Sequence, residues 1–234
     1  MKIALLGYGK MGKVIEKIAL ERNHEIVLRK TEHTSFDGLE NADVAIDFSV
    51  PDAAVSNISE SLNKGIPVIS GTTGWLENYQ KMIELCKQQD SAFLYGSNFS
   101  LGVNLFFELN NYLAKLMSPL KQYKISLEEI HHTQKLDAPS GTAITLANTI
   151  IDQTRYNQWT IDMPQKNDDL FIDVKRIDNI PGTHSIFYKS EVDSIEIKHT
   201  AHSREGFALG AVIAAEWIIG KKGVYSMKDV LGLK

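Results

Sequence analysis

The sequence predicts an α/β protein in two parts: a doubly wound parallel sheet, then a second α+β domain with a mixed or antiparallel sheet. Three observations carry the prediction. The chain opens with a short apolar run (Ile3, Ala4, Leu5, Leu6), a glycine turn, and then Val14, Ile15, Ile18 and Ala19 at helical spacing. Strand-like and helix-like segments go on alternating to about residue 100, as βα units over a parallel sheet do. From about residue 103 the alternation stops, and a helix gives way to several short strands with an antiparallel look. A very apolar segment near the C-terminus then has the pattern of a buried helix returning to the first part. The simplest organisation is a split domain, residues 1–102 with 205–234, around a second domain at 103–204.

Composition narrows the function. The chain has 234 residues, 43% of them hydrophobic, which is ample for packed cores. A net charge of −4 without a clustered basic run gives no reason to expect nucleic acid or an anionic membrane as partner. The apolar segment 207–219, at about 13 residues, falls short of the roughly 20 that a bilayer requires. The single cysteine, Cys86, cannot form an internal disulfide, and the chain begins directly on a strand-like segment. Both point to the cytoplasm.

The first glycine turn, Gly7-Tyr8-Gly9-Lys10-Met11-Gly12, follows a strand and opens a helix. In that context it reads as the Rossmann dinucleotide fingerprint. Gly7 makes the turn, Gly9 admits a pyrophosphate to the backbone, and Gly12 permits close packing of helix on strand. The second strand, about residue 25 to 28, runs out into Arg29-Lys30-Thr31-Glu32, where NAD-specific sites usually carry an acid. Two cations there suit a 2′-phosphate. NADPH is therefore expected to be accepted, with Glu32 as a candidate ribose partner for NADH. Strands follow at 42–48, 66–70 and 92–95, with helices at 53–63 and 76–88. Three turns lie at strand ends: Asp47 to Pro51, Gly71-Thr72-Thr73-Gly74, and Gly96-Ser97-Asn98-Phe99-Ser100. In an open parallel sheet ligands bind at the carboxyl ends of the strands, so these turns are candidates for the nicotinamide half.

The stretch from Glu129 to Ala143 concentrates the titratable groups. Tyr123, Ile125 and Leu127 alternate with Lys124, Ser126 and Glu128, which makes a half-buried strand and puts His131 and His132 near its end. Pro139 and Ser140 then stop the chain and cap a helix, so Ser140, Gly141 and Thr142 form an N-terminus whose N–H groups welcome a carboxylate or phosphate. Lys135 adds a positive charge. No other His, Cys or acid stands at ligand spacing from the histidine pair, and no metal is expected.

Taken together, these segments resemble the 4-hydroxy-tetrahydrodipicolinate reductase (dihydrodipicolinate reductase) family of lysine and diaminopimelate biosynthesis. The resemblance rests on Gly7 to Gly12, Ile46-Asp47-Phe48-Ser49, Gly71 to Gly74, Asn98 to Asn104, the His-His-x-x-Lys-x-Asp-Ala-Pro-Ser-Gly-Thr-Ala core, Ser203-Arg204 with Phe207, and Met227 to Leu231. It covers essentially the whole chain. Departures are a glycine loop one residue shorter than the commoner form, a second strand end without the usual acid, and a short chain. The resemblance implies hydride transfer from NADPH or NADH to a small dicarboxylate. It implies His131 as proton donor or acceptor and Lys135 as second proton donor, with His132, Ser140, Gly141 and Thr142 on the substrate carboxylates. Gly7 to Gly12, Gly71-Thr72-Thr73 and Gly96 to Phe99 match the cofactor contacts, with Arg204 and Phe207 as further candidates. It also implies a homotetramer assembled through the second domain's sheet. Imidazole, with an ordinary pKa of about 6.5, is expected to supply a proton near neutrality. The competing readings are another NAD(P)-dependent dehydrogenase of a small carboxylate and a non-enzymatic NAD(P)H-binding sensor; neither needs the central stretch.

Overall fold

The structure, a computed structural model, describes residues 1–233. The strands are β1 (Lys2–Leu6), β2 (Glu25–Lys30), β3 (Val44–Asp47), β4 (Val68–Ser70), β5 (Ala92–Tyr95), β6 (Lys124–His131), β7 (Gln158–Thr160), β8 (Asp169–Arg176), β9 (Gly182–Lys189), β10 (Ser194–Ala201) and β11 (Gly223–Tyr225). The helices are α1 (Lys10–Glu21), α2 (Pro51–Asn63), α3 (Tyr79–Gln88), α4 (Leu101–Met117), α5 (Gly141–Gln153), α6 (Glu205–Ile218) and the short α7 (Met227–Val230). The chain divides into two compact units, one of residues 1–101 with the chain from Arg204 onward, the other Gly102–Ser203.

In the first unit six parallel strands run in the order β11-β5-β4-β3-β1-β2. The chain leaves β1 for β2 on one side and returns to β3 on the other, so the order reverses at β1 and β3, the place where such sheets bind ligands. Both faces of the sheet are covered, which is why its strands read as unbroken apolar runs. Alternate residues supply the two cores: Ile3, Leu5, Val44, Ile46 and Leu94 pack with α1 and α6, while Ala4, Leu6, Ala45, Val68 and Phe93 pack with α2 and α3. The apolar α6 is buried against α1 through Ala208, Ala211, Val212 and Ala215. No helix among the described residues is long and apolar enough to cross a membrane.

In the second unit five strands run β10-β9-β6-β8-β7. The strands expected to be antiparallel are only partly so. β9 is antiparallel to β6 and β10, but β8 lies parallel to both β6 and β7. Helix α5 is the reason: it follows β6 and leads to β7, and a parallel neighbour needs such a crossover. Helices α4 and α5 cover one face through Phe106, Ala114, Leu146, Ala147 and Ile150, against Ile125, Leu127, Ile172 and Ile186. Strands β7 and β11 were not anticipated; three residues are too few to show a period of two.

Gly7 has φ +107°, and a Cβ on it would lie 2.3 Å from the Phe48 carbonyl oxygen. A Cβ on Gly12 would lie 2.3 Å from the Gly7 oxygen. Gly12→Ala is therefore expected to lower stability by about 1–3 kcal/mol through overpacking, read as a lower urea midpoint with unchanged slope, and to weaken NAD(P)H binding in the same preparation.

Candidate active site

The carboxyl ends of β1, β2 and β3 surround a crevice of about 340 Å³ whose walls include Gly7, Tyr8, Gly9, Lys30, Glu32, Phe48 and Ser49. Helix α1 starts at its rim with Gly9 as N-cap and no side chain capping it, so its first N–H groups and positive dipole end are offered to an anion. Nothing lies within 4 Å of where a Gly9 Cβ would sit. These residues fit a dinucleotide pyrophosphate. Lys10 is exposed at the helix start and Met11 packs partly into the core.

The two cations after β2 part company. The Arg29 guanidinium pairs with Glu16, which also accepts from the Tyr8 hydroxyl, and Arg29 sits 5.9 Å from the centre of the Tyr8 ring. The Arg29 guanidinium beside Glu16 holds that carboxyl below its usual range. Arg29 is thus engaged by an acid of α1. Lys30 lines the crevice; its Nζ donates to the carbonyls of Thr31 and Thr34 at 3.1 and 2.9 Å and lies 4.6 Å from the centre of the Phe36 ring.

The turns after β3, β4 and β5 are knitted together by polar groups. Asp47, with no exposure, accepts from Ser49 Oγ (2.6 Å), Asn57 Nδ2 (2.9 Å) and Ser70 Oγ (2.7 Å). Burial pushes its pKa up against these hydrogen bonds. Thr72 Oγ1 accepts from the Ser49 N–H at 2.8 Å, so that hydroxyl is committed to the turn. Phe99 is likewise not an open contact surface. It is 1% exposed, with its ring 5.5 Å from that of Phe48. Gly96 N–H donates to the Ser70 carbonyl and Asn98 Oδ1 accepts from Ser100 N–H. Gly71 is half-buried, and Thr73 and Ser97 are the exposed members.

In the second unit the apolar stripe of β6 does not stop at Leu127. It continues, two residues at a time, into Glu129 and His131 on the same buried face. Strand register then brings up two residues distant in sequence: His184 lies opposite Glu129, and Arg176 opposite His131. Sequence reasoning missed Glu129, Arg176 and His184. The two-residue period pointed to the first, but only strand pairing reveals the others.

Glu129 is wholly buried. Its Oε1 faces both terminal nitrogens of Arg176 at 3.2 Å, and its Oε2 accepts from the Ser140 N–H at 3.0 Å. The imidazoles of His131 (Nδ1) and His184 (Nε2) each stand 3.7 Å from Oε2. Burial alone raises the carboxyl pKa, but His184, the Ser140 hydroxyl and N–H, and the field of His131 outweigh it and hold Glu129 down to about 2. Arg176 also donates to the backbone carbonyls of Asp137 (2.7 Å) and Lys135 (3.4 Å), so one guanidinium grips the 132–139 loop and the buried acid together.

His131 is 7% exposed and its Nδ1 is buried with no hydrogen-bond partner. Burial first, then the neighbouring His184, push its pKa down to about 4 against the pull of Glu129. This lies below the ordinary imidazole value of about 6.5, so at pH 7 the ring of the unliganded site is neutral. Lys135 forms a two-point pair with Asp137 at 2.7 and 2.8 Å, and its hydrogen bond holds the Asp137 carboxyl below its usual range. His132, just past the end of β6, has a buried Nδ1 with no partner.

Ser140 caps α5, its Oγ accepting from Ala143 N–H at 3.2 Å and meeting His184 Nε2 at 3.1 Å. It is 3% exposed. Ser140 is thus the cap the sequence expects, and exposed Gly141 and half-buried Thr142 form the open part of the turn. His131 also stands in a cluster that sequence spacing does not show. Ligand atoms of Glu129, His131 and His184 lie within 4.8 Å of one another, although Arg176 and the Ser140 N–H already answer the carboxylate.

Comparisons with known proteins extend over the whole chain. A profile described as "Dihydrodipicolinate reductase, N-terminus" matches residues 1–99, and one described as "Dihydrodipicolinate reductase, C-terminus" matches residues 102–231. A 4-hydroxy-tetrahydrodipicolinate reductase of Christiangramia forsetii is 55% identical over 234 residues, covering 99% of this chain and 98% of that one. Its counterpart in Methanosarcina barkeri is 36% identical, covering 97% and 83%. Among solved structures, a dipicolinate-bound dihydrodipicolinate reductase from Paenisporosarcina has the same fold, with a TM-score of 0.77 at 21% identity over 97% of each chain.

Two outcomes are expected. Lys30→Ala should lower affinity for NADPH relative to NADH by about tenfold, the scale of one charge-assisted hydrogen bond, whereas Arg29→Ala should leave the ratio nearly unchanged; fluorescence titration with both cofactors decides. Unfolded His131 takes up a proton near pH 6.5 but the folded ring only near 4, so in that window the unfolded chain binds more protons and stability falls as pH drops. Glu129 extends the loss from 4.5 down to about 2. Urea midpoints measured from pH 7 to pH 4 should decline, and His131→Asn should flatten the upper part of that decline.

Proposed function

The chain belongs to the dihydrodipicolinate reductase family, and on that premise we propose that its two units divide the NAD(P)H-dependent reduction of 4-hydroxy-tetrahydrodipicolinate between them. The first unit holds the cofactor, with Gly7 to Gly12 on the pyrophosphate and Lys30 and Glu32 near the adenosine ribose. The second holds the dicarboxylate and manages its proton. In the net reaction the substrate, NAD(P)H and one proton give tetrahydrodipicolinate, NAD(P)⁺ and water. The bound cofactor supplies the hydride; everything else falls to the chain's own residues.

The reduced substrate gains negative charge and must be protonated. Lys135 is the cation beside this site: it stabilises the developing charge and is the proton source. Asp137 keeps its ammonium in place until substrate arrives. His131, neutral at working pH, accepts a hydrogen bond and orients the proton path. His132 with Gly141 and Thr142 at the start of α5 takes the substrate carboxylates, the task for which a helix N-terminus is suited. The relative from Paenisporosarcina binds dipicolinate, a planar dicarboxylate of the same class. The observation that carries this reading is that the Glu129 to Ala143 segment folds as strand end, turn and capped helix start around one buried carboxylate. We further read the second sheet as the surface of a homotetramer and the cytoplasm as the site of action, in keeping with the single buried thiol of Cys86.

The assay follows NADPH oxidation with the freshly formed condensation product of aspartate semialdehyde and pyruvate. Substrate-dependent oxidation is expected, and a folded, cofactor-binding preparation that shows none refutes the reading. Lys135→Met should lower kcat by about 10² to 10⁴, the range of a general acid, with the Kd for NADPH unchanged.

A further inference from the structure

Building on the reductase reading, we propose that Glu129 is a positioning residue for the reaction: its carboxylate selects the Nδ1–H tautomer of His131 and leaves Nε2 as the unprotonated nitrogen. The geometry rests on three observations. First, the Glu129 oxygens are divided. Arg176 takes Oε1, and Oε2 accepts the Ser140 N–H and faces His131 Nδ1 and His184 Nε2, each at 3.7 Å. Second, that Nδ1 is buried without a hydrogen-bond partner. A bare lone pair on this buried nitrogen would face a carboxylate oxygen, whereas an N–H bond turns the same contact from repulsive to attractive. Third, the other ring nitrogen has room made for it. Gly182 lies beside Nε2, and a Cβ on that glycine would stand 3.1 Å away and crowd the ring.

The other groups around the ring agree with this assignment. His184 packs edge-on at 5.1 Å between ring centres, and its Nε2, 3.7 Å from Oε2, has Ser140 Oγ as a nearer partner at 3.1 Å, whereas Oε2 is the polar atom that His131 Nδ1 faces. Arg176 and Lys135 are cations, and both oppose a charged His131, as does burial. The ring therefore enters the reaction neutral, with an acceptor at Nε2. Glu129 acts through His131 and need not touch substrate. The acid is also fixed independently of its task, because Arg176 and Ser140 hold it from two other elements.

The test is nitrogen-15 NMR of histidine-labelled protein, with His131 assigned by its disappearance in His131→Gln, alongside steady-state kinetics. The wild type should show His131 neutral at pH 7 with the proton on Nδ1; an Nε2–H ring overturns the proposal at once. Glu129→Gln keeps the size and an acceptor for Ser140 but removes the charge. The Nε2–H form that free imidazole prefers should then gain population, and kcat should fall by about tenfold or more, as wrong-tautomer substitutions do, with NADPH affinity kept. Glu129→Asp, which restores the charge, should recover the Nδ1–H signal in part and stands in if the Gln variant does not fold. An unchanged tautomer in Glu129→Gln, or a shifted tautomer with unchanged kcat, refutes the assignment. A wild type that shows the Nδ1–H ring but no substrate-dependent NADPH oxidation refutes the reductase reading instead.

Discussion

A carboxylate cannot be buried without compensation, and in the second unit this constraint organises everything around Glu129. Taking an ion out of water costs several kcal/mol unless charge and hydrogen bonds are returned to it. Here the return comes from three directions: Arg176 on β8, the N–H and hydroxyl of Ser140 at the start of α5, and His184 on β9. Meeting that demand fixes the strand register, the entry of α5 and the path of the loop that carries Lys135. The chemistry of the site is thus a by-product of satisfying one acid. His131 lies in the same dry surroundings and gives up its charge because of them.

The first unit solves a different problem, that of backbone approach. Its turn works because side chains are absent at Gly7 and Gly12, where a Cβ would meet a carbonyl oxygen at 2.3 Å. Behind it, the buried Asp47 holds the turns after β3 and β4 in mutual register through Ser49, Asn57 and Ser70. One unit offers N–H groups to an anion, and the other keeps an anion of its own.

Much of this was legible in the residues. The parallel sheet shows itself because both of its faces are covered, so its central strands β1, β3, β4 and β5 are mostly apolar, and the glycine turn has a mechanical reason at each position. The segment from Glu129 to Thr142 also announces its strand, turn and cap. What the residues hide is what pairing creates. Arg176 and His184 are ordinary members of β8 and β9 until register sets them beside Glu129. Charge state is hidden for the same reason: a histidine in a sequence titrates near 6.5, and only burial reveals that this one does not. Arg29 stands near the end of a strand, and only the fold shows that Glu16 of helix α1 holds it. Ser140 caps its helix as its sequence suggests, but its meeting with His184 Nε2 at 3.1 Å is visible only in the fold. Three-residue strands such as β7 leave no period to detect.

The grip of Arg176 on the 132–139 loop has one more consequence. It holds that loop by the carbonyl oxygens of Lys135 and Asp137, which every amino acid possesses. The shape of the loop is therefore anchored through the main chain, while Leu136, 96% exposed, and Gln134 face solvent at its crest. Such a loop is mechanically conservative and chemically permissive. Leu136 and Gln134 can change without touching either the main-chain clasp or the Asp137 carboxylate that holds the Lys135 ammonium.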